Sequence, residues 1–167
     1  MFLDLLTQKE LSKVEKIGVH KKFKKDETII KEGESGTSFC LILSGQIEVR
    51  KSMRGGQYKA LVELGPCDLF GELGFFGVDC RSATIVAVSD CAILEFRRDD
   101  FEKFVEDRPA IGSKVYRRMA EILAERLTSN DEVLMDTIIW GLGRSRNKGE
   151  EPQISIAHLP KVTLKNI

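Results

Sequence analysis

Between Val19 and Phe96 the chain is a succession of short β-rich runs, each cut off by a turn before it could become a long element. The runs are "ETIIKE", "SFCLILS", "QIEVRKS", "YKALVEL", "SATIVAVS" and "CAILEF". They are rich in valine, isoleucine, tyrosine and phenylalanine, side chains that suit a pleated surface. Between them stand "EGESG", Ser44-Gly45, "MRGGQ", "LGPCD" and Ser89-Asp90, combinations in which glycine, serine, aspartate and proline favour turns. Many short strands at even spacing predict a sandwich or a small barrel rather than alternating βαβ units.

The flanks of this region read differently. Thr7 followed by Glu10 forms a capping box, with Leu6 and Leu11 at the spacing of a hydrophobic staple. A helix from about Gln8 to Lys16 is expected there. After Phe96 the pattern is helical to about Leu142. Asp99 or Asp100 would cap a helix ending near Asp107, and Pro109 suits the first turn of the next. In that second helix Ile111, Val115, Met119, Ile122 and Leu123 recur three or four residues apart, an apolar stripe. "TSNDE", Thr128 to Glu132, interrupts the stripe, either as the start of a separate helix through Trp140 or as a polar break in one long helix. "IGSKVYRRMAEILAERL" is apolar more broadly than one packing face needs. It therefore predicts a second partner for the helix 109–127, either the β-region or a twin helix, and a homodimer is expected. From Gly143 onward the chain reads as a loop and a tail of no assigned role.

Charge narrows the function classes. The 167 residues hold 26 Lys+Arg against 26 Asp+Glu, so no net basic surface is available for sequence-independent nucleic-acid binding. The basic run "HKKFKK" is answered at once by Asp26 and Glu27 and reads as a solvated strand edge. Cys40, Cys67, Cys80 and Cys91 are scattered with no C-x-x-C, which fits reduced thiols in a reducing compartment; Cys80, beside Arg81, is the one candidate for a reactive thiolate. No signal-like or membrane-length apolar run is present, and a cytoplasmic protein with no membrane partner is expected.

One stretch breaks the local rules. "LFGELGFFGVDCRSATIVA" places Gly71, Gly74 and Gly77, with Glu72 and Arg81, inside an otherwise apolar sequence. Glycines in a strand or helix cost order, and such violations concentrate at functional sites. A tight turn opening a short helix near Leu73 presents backbone N–H groups to an anion. An arginine brought back over that turn adds a bidentate pair of charge-assisted hydrogen bonds, and Ser82 can donate another. Glu72 is wrong for a phosphate but right for a sugar hydroxyl. The implied ligand is a nucleotide with one compact phosphate. One arginine, without a P-loop lysine or a carboxylate pair for Mg²⁺, argues against a triphosphate. Glu72 and Arg81 also fit a structural ion pair, and Phe70, Phe75 and Phe76 read as core.

These residues resemble the phosphate-binding cassette of the cyclic nucleotide-binding domains, which read Phe-Gly-Glu-Leu, a small residue, and then Arg with Ser, Thr or Ala. The step from Glu72 to Arg81 is similar to that of the protein kinase A regulatory subunits, and Gly74 is a variant also seen in the bacterial catabolite activator group. The likeness extends through "IIKEGESGTSFCLILSGQIEV" and "LGPCDLFGE". It implies a mainly β fold with α: an eight-stranded antiparallel β-roll (a double-stranded β-helix, jelly-roll-like) over 19–96, one helix before it, and lid and dimer helices over 98–142 after it. The domain would cover 1–142 and the tail 143–167. Implied site roles are backbone N–H contacts to a cyclic phosphate from Gly71, Leu73 and Gly74, an Arg81 clamp assisted by Ser82, and a Glu72 contact to the ribose 2′-hydroxyl. Leu61 and Val62 would wall the base, and Asn130 or Asp131 would reach it from the segment ending in "RLTSNDEV". Cys67 departs from the family's usual glycine, and Thr37 from its common acidic residue.

The ligand is then cAMP or cGMP, with no cofactor and no metal. A cupin-like enzyme would need clustered histidine and carboxylate ligands, and only His20 and His158 are present, so no enzyme activity is expected. No capped helix pair with a basic recognition helix follows Trp140, so DNA binding is not expected. The expected role is a sensor that signals to an unidentified output protein. A scaffold that has lost its ligand is the alternative.

Overall fold

The computed structural model describes residues 5–78 and 80–146, with 129–146 as backbone only. The chain divides into two compact units, Met1–Ile122 and Leu123–Ile167.

Helix α1, Gln8–Glu15, begins at the expected capping box: the Glu10 N–H donates to Thr7 Oγ1 at 3.3 Å, and the Thr7 N–H donates to Glu10 Oε2 at 2.8 Å. Eight strands follow: β1 Val19–Phe23, β2 Thr28–Ile30, β3 Ser38–Ser44, β4 Ile47–Ser52, β5 Tyr58–Leu64, β6 Leu69–Phe70, β7 Thr84–Ala87 and β8 Cys91–Arg97. They form two four-stranded antiparallel sheets in the orders β1-β8-β3-β6 and β2-β7-β4-β5. First therefore pairs with last, second with seventh, third with sixth and fourth with fifth. This is one long hairpin rolled upon itself, the double-stranded β-helix expected from the resemblance. Its tip is "MRGGQ", where Gly55 and Gly56 both take positive φ, +85° and +76°. Adjacent left-handed residues give a hairpin turn the twist of its strands.

Strand β3 shows why its sequence lacks alternation. Phe39 and Leu41 enter a core shared with the helices, whereas Cys40 and Ile42 enter the core between the sheets. Both faces are buried from Phe39 to Ile42, so these four positions are apolar without a break. By contrast β1, carrying "HKKF", is an edge strand and largely exposed, as the charge pattern predicts.

Helix α2, Glu72–Phe75, is the single turn inside the roll, and α3 (Arg98–Asp107) and α4 (Pro109–Arg146) follow it. The N-cap of α3 is Arg97, not Asp99 or Asp100. The helix simply starts sooner because β8 leads directly into it, and the two aspartates lie in its first turn, where they complement the helix dipole. In α4, Ile111, Val115 and Met119 are buried with Phe39, Phe96 and Phe101, and Ile122 packs against them. The β-region is thus one partner of the stripe. "TSNDE" is helical, matching the reading of one long helix, and the helix continues past Leu142 through Arg146. Gly143 did not end it, since an interior glycine costs only about 1 kcal/mol relative to alanine. "ISIAHLPKVTLKNI" lies outside the described residues. Among the described residues no helix is long and apolar enough to cross a membrane.

Candidate functional site

Strand β6 ends at Gly71, whose φ of +78° turns the chain sharply into α2. A side chain there would be strained, so the turn requires glycine. The turn is held from below by Phe75, whose ring meets Phe39 edge-on at 5.0 Å and Phe101 at 5.7 Å. It is held from the side by Arg98, at the start of α3, whose Nη2 donates to the Gly74 carbonyl at 2.6 Å. The N–H groups of Glu72, Leu73 and Gly74 belong to a first helical turn, which has no intrahelical acceptor for them.

Arg81 returns over this turn. It is only 9% exposed, and its neighbours are placed by backbone pairing with the loop before β3. The Arg81 N–H donates to Glu34 O at 2.8 Å, and the Gly33 N–H donates to Arg81 O at 2.9 Å. The guanidinium lies in a cradle of glycines. A Cβ on Gly36 would fall 2.4 Å from Arg81 Nε, one on Gly74 2.8 Å from Nη1, and one on Gly71 2.9 Å from Nη1. Its hydrogen bonds run to neutral oxygens: Nη1 donates to Ser38 O at 2.7 Å and to Gly71 O at 2.9 Å, and Nη2 donates to Ser38 Oγ at 2.8 Å. Of the five guanidinium N–H groups, those left are the one on Nε and one on Nη2. Together they form an edge suited to two parallel bonds with a phosphate or carboxylate.

Glu72 is the first residue of α2 and is buried, 6% exposed. Ser82 is exposed, and its carbonyl accepts from Lys51 Nζ at 2.5 Å. Lys51 also pairs with Glu32 Oε1 at 2.7 Å, and the Ser52 N–H donates to Glu32 Oε2 at 2.9 Å. The lysine lowers the Glu32 carboxyl to about 2. This network staples the exit of the cassette to β4.

Leu61 and Val62 lie on β5. The register between β4 and β5 passes from Val49↔Val62 to Arg50↔Ala60, skipping Leu61. Two residues thus oppose one, a β-bulge of the kind that re-aims side chains near functional sites. Both are about half exposed, 53% and 50%. Since β4 also pairs with β7, Arg50 with Thr84, this wall stands two strands, roughly 10 Å, from the residues following Ser82. Leu73 is exposed on α2. Asn130 and Asp131 are helical, but their side chains lie outside the described structure.

One reading from the sequence is corrected. Phe70 and Phe75 are core, but Phe76 is 48% exposed: it follows the end of α2 and lies over the outside of the core, edge-on to Phe75 at 5.2 Å and beside Tyr116 at 6.2 Å. Sequence reasoning also missed Gly36, Ser38 and Arg98. Gly36 had a usable signal, since it punctuates the loop before a strand where a backbone approaches closely. Cys40 and Cys91 are buried free thiols, and burial pushes Cys40 up to about 12. Cys80 is an exposed free thiol.

Comparison with known proteins places this geometry. The family model described as the cyclic nucleotide-binding domain matches residues 20–108, more than half of the chain. A CRP-like cAMP-activated global transcriptional regulator of Mycobacterium tuberculosis is 29% identical over 116 residues, covering 70% of this chain and 50% of that protein. Human cGMP-dependent protein kinase 2 is 34% identical over 85 residues, 50% of this chain and 11% of the kinase. The crystal structure of the Thermus thermophilus catabolite activator protein superposes with a TM-score of 0.75 at 28% identity, covering 87% of this chain and 66% of that one. The chain spans about half the length of the Mycobacterium relative.

Proposed function

The chain belongs to the cyclic nucleotide-binding domain family, and on that premise we propose that it is a cytoplasmic sensor of a cyclic nucleotide, not an enzyme. The observation that carries this reading is Arg81: a buried guanidinium in a glycine cradle, with Nε–H and one Nη2–H given no acceptor by the described residues. In this reading that edge grips the cyclic phosphate, and Gly71, Leu73 and Gly74 add N–H donors, with Ser82 beside them. Glu72 takes the ribose 2′-hydroxyl, and the bulged Leu61–Val62 pair walls the base. Asn130 is a base contact by resemblance alone.

The relatives are named for both cAMP and cGMP, so the ligand class is the cyclic phosphate and ribose they share. Arg98, bridging the Gly74 carbonyl to the start of α3, supports transmission: a shift of the cassette is felt at once by the helices that follow. The output is a partner protein, and a second copy of the chain docks through the helix 109–127.

Calorimetry of the purified, nucleotide-stripped chain with cAMP, cGMP and linear 5′-AMP tests this. A saturable one-site isotherm with at least one cyclic nucleotide, absent with 5′-AMP and weakened tenfold or more in Arg81→Ala, is expected from the loss of two charge-assisted hydrogen bonds. No binding of either cyclic nucleotide by the wild-type chain would favour the ligand-free scaffold instead.

A further inference from the structure

A carboxylate stands on the inward face of the first sheet, where its neighbours are apolar. Glu95 in β8 alternates with Ile93 and Cys91, both buried in the core between the sheets. Its two oxygens have separate donors. Ser38 Oγ donates to Oε1 at 2.8 Å, and Lys21 Nζ lies 2.5 Å from Oε2. The same Ser38 hydroxyl accepts from Arg81 Nη2 at 2.8 Å. A continuous polar chain therefore crosses three adjacent strands, β3, β8 and β1, from the guanidinium in the cradle to the sheet edge.

The register makes this chain possible. Ser38 pairs with Arg97 and Cys40 with Glu95, so Ser38 and Glu95 are diagonal neighbours on one face. Lys21 pairs with Ile93 and Val19 with Glu95, which sets Lys21 on the other diagonal. Diagonal neighbours are within reach of polar side chains of this length.

Electrostatics supplies the reason for it. A buried cation is costly unless it is hydrogen-bonded and countered by charge. Among the described residues, every oxygen to which Arg81 donates is formally neutral. Glu95 is the carboxylate at the far end of the Ser38 hydroxyl, and the hydroxyl, polarised by it, becomes a better acceptor for Nη2. Lys21 and Ser38 hold the Glu95 carboxyl below its ordinary value despite the opposing effect of its burial, with the Arg81 charge contributing. The carboxylate therefore stays ionised.

We propose that Ser38 and Glu95 are positioning residues for Arg81, fixing the Nη1–Nη2 edge of its guanidinium so that the Nε–Nη2 edge is presented to the ligand before the ligand arrives. The inference rests on the reading that Arg81 grips a cyclic phosphate. Its structural half, the immobilised guanidinium, stands apart from that reading and is measured apart from it.

Two measurements on the full, nucleotide-stripped chain test the proposal. The first is the side-chain ¹⁵N spectrum of Arg81, assigned by its loss in Arg81→Lys. A guanidinium held on both Nη atoms shows separate Nη signals because rotation about its C–N bonds is hindered. Ser38→Ala and the near-isosteric Glu95→Gln are expected to merge or broaden them. The second is affinity for cAMP and cGMP, which is expected to fall about tenfold in each variant, the loss of one hydrogen bond to a charged group. In the Arg81→Ala background, followed by ligand-observed NMR at millimolar cyclic nucleotide, neither change is expected to cost further affinity. Unchanged Arg81 signals in both variants, or equal losses of affinity with and without Arg81, would overturn the proposal. A wild-type chain that shows the separate signals, loses them in the variants, and binds neither nucleotide would uphold the positioning and refute the ligand.

Discussion

Gly36→Ala isolates the cradle from every other feature of the site. Gly36 lacks the positive φ of Gly71, so alanine adopts its backbone without left-handed strain, and the only new element is a methyl group. That methyl would lie 2.4 Å from Arg81 Nε, 2.7 Å from Nη2 and 2.8 Å from Cζ. Carbon normally approaches such atoms no closer than about 3.5 Å, so the guanidinium must retreat by roughly 1 Å. Its hydrogen bonds now measure 2.7, 2.8 and 2.9 Å. A displacement of that size takes at least one beyond hydrogen-bonding range, and each bond to a charged group contributes about 1.5–3 kcal/mol. We expect a stability loss of about 2–4 kcal/mol, which for a domain of this size lowers Tm by roughly 5–15 °C. A misplacement of about 1 Å also costs on the order of a hundredfold in a function that depends on geometry. Differential scanning calorimetry and titration with cAMP and cGMP read the two effects. If the variant melts within a degree of wild type and binds within threefold, the guanidinium steps aside freely, and the preorganised cradle is wrong.

Three further outcomes are expected. Cys67 has φ +72°, a left-handed conformation that costs a non-glycine residue about 1–2 kcal/mol, so Cys67→Gly should raise the urea midpoint without altering its slope; an unchanged or lower midpoint refutes it. Glu10, bonded to Lys114, and Glu32, bonded to Lys51, each have carboxyls near 2 against an ordinary 4.5. Lowered carboxyls contribute stability above the ordinary value and lose it as pH falls toward the folded one. Stability should therefore be flat above about pH 5 and decline below 4.5, and Lys51→Met should shallow the decline; an identical acid limb in that variant contradicts the assignment. Finally, Ile122 packs against the core whereas Leu127 is 64% exposed. Leu127→Glu should dissociate a dimer with little change in Tm, while Ile122→Glu should lower Tm whatever the oligomeric state. Light scattering alongside melting curves separates them, and an undisturbed mass in Leu127→Glu removes that residue from the interface.

The elements and the chemistry of the cassette were legible in the amino-acid order, because both depend on neighbours a few residues apart. The Thr7–Glu10 box, the glycine tip at 55–56 and the turn at Gly71 are local: each follows from dihedral preferences and short-range hydrogen bonds. The unbroken polar run in "HKKF" likewise announced an exposed edge strand. Where distant residues meet emerged only with the folded chain. Gly36 and Gly74, on opposite sides of β3, became one wall because the rolled hairpin brings the loop before β3 against the cassette. Leu61 and Val62 are both half-exposed at a bulge visible only in the pairing of β4 with β5. Ser38, Glu95 and Lys21 read separately as ordinary strand residues. They became a single chain because long-range register, set by burial of the two cores on either side of β3 and β8, placed them on one face.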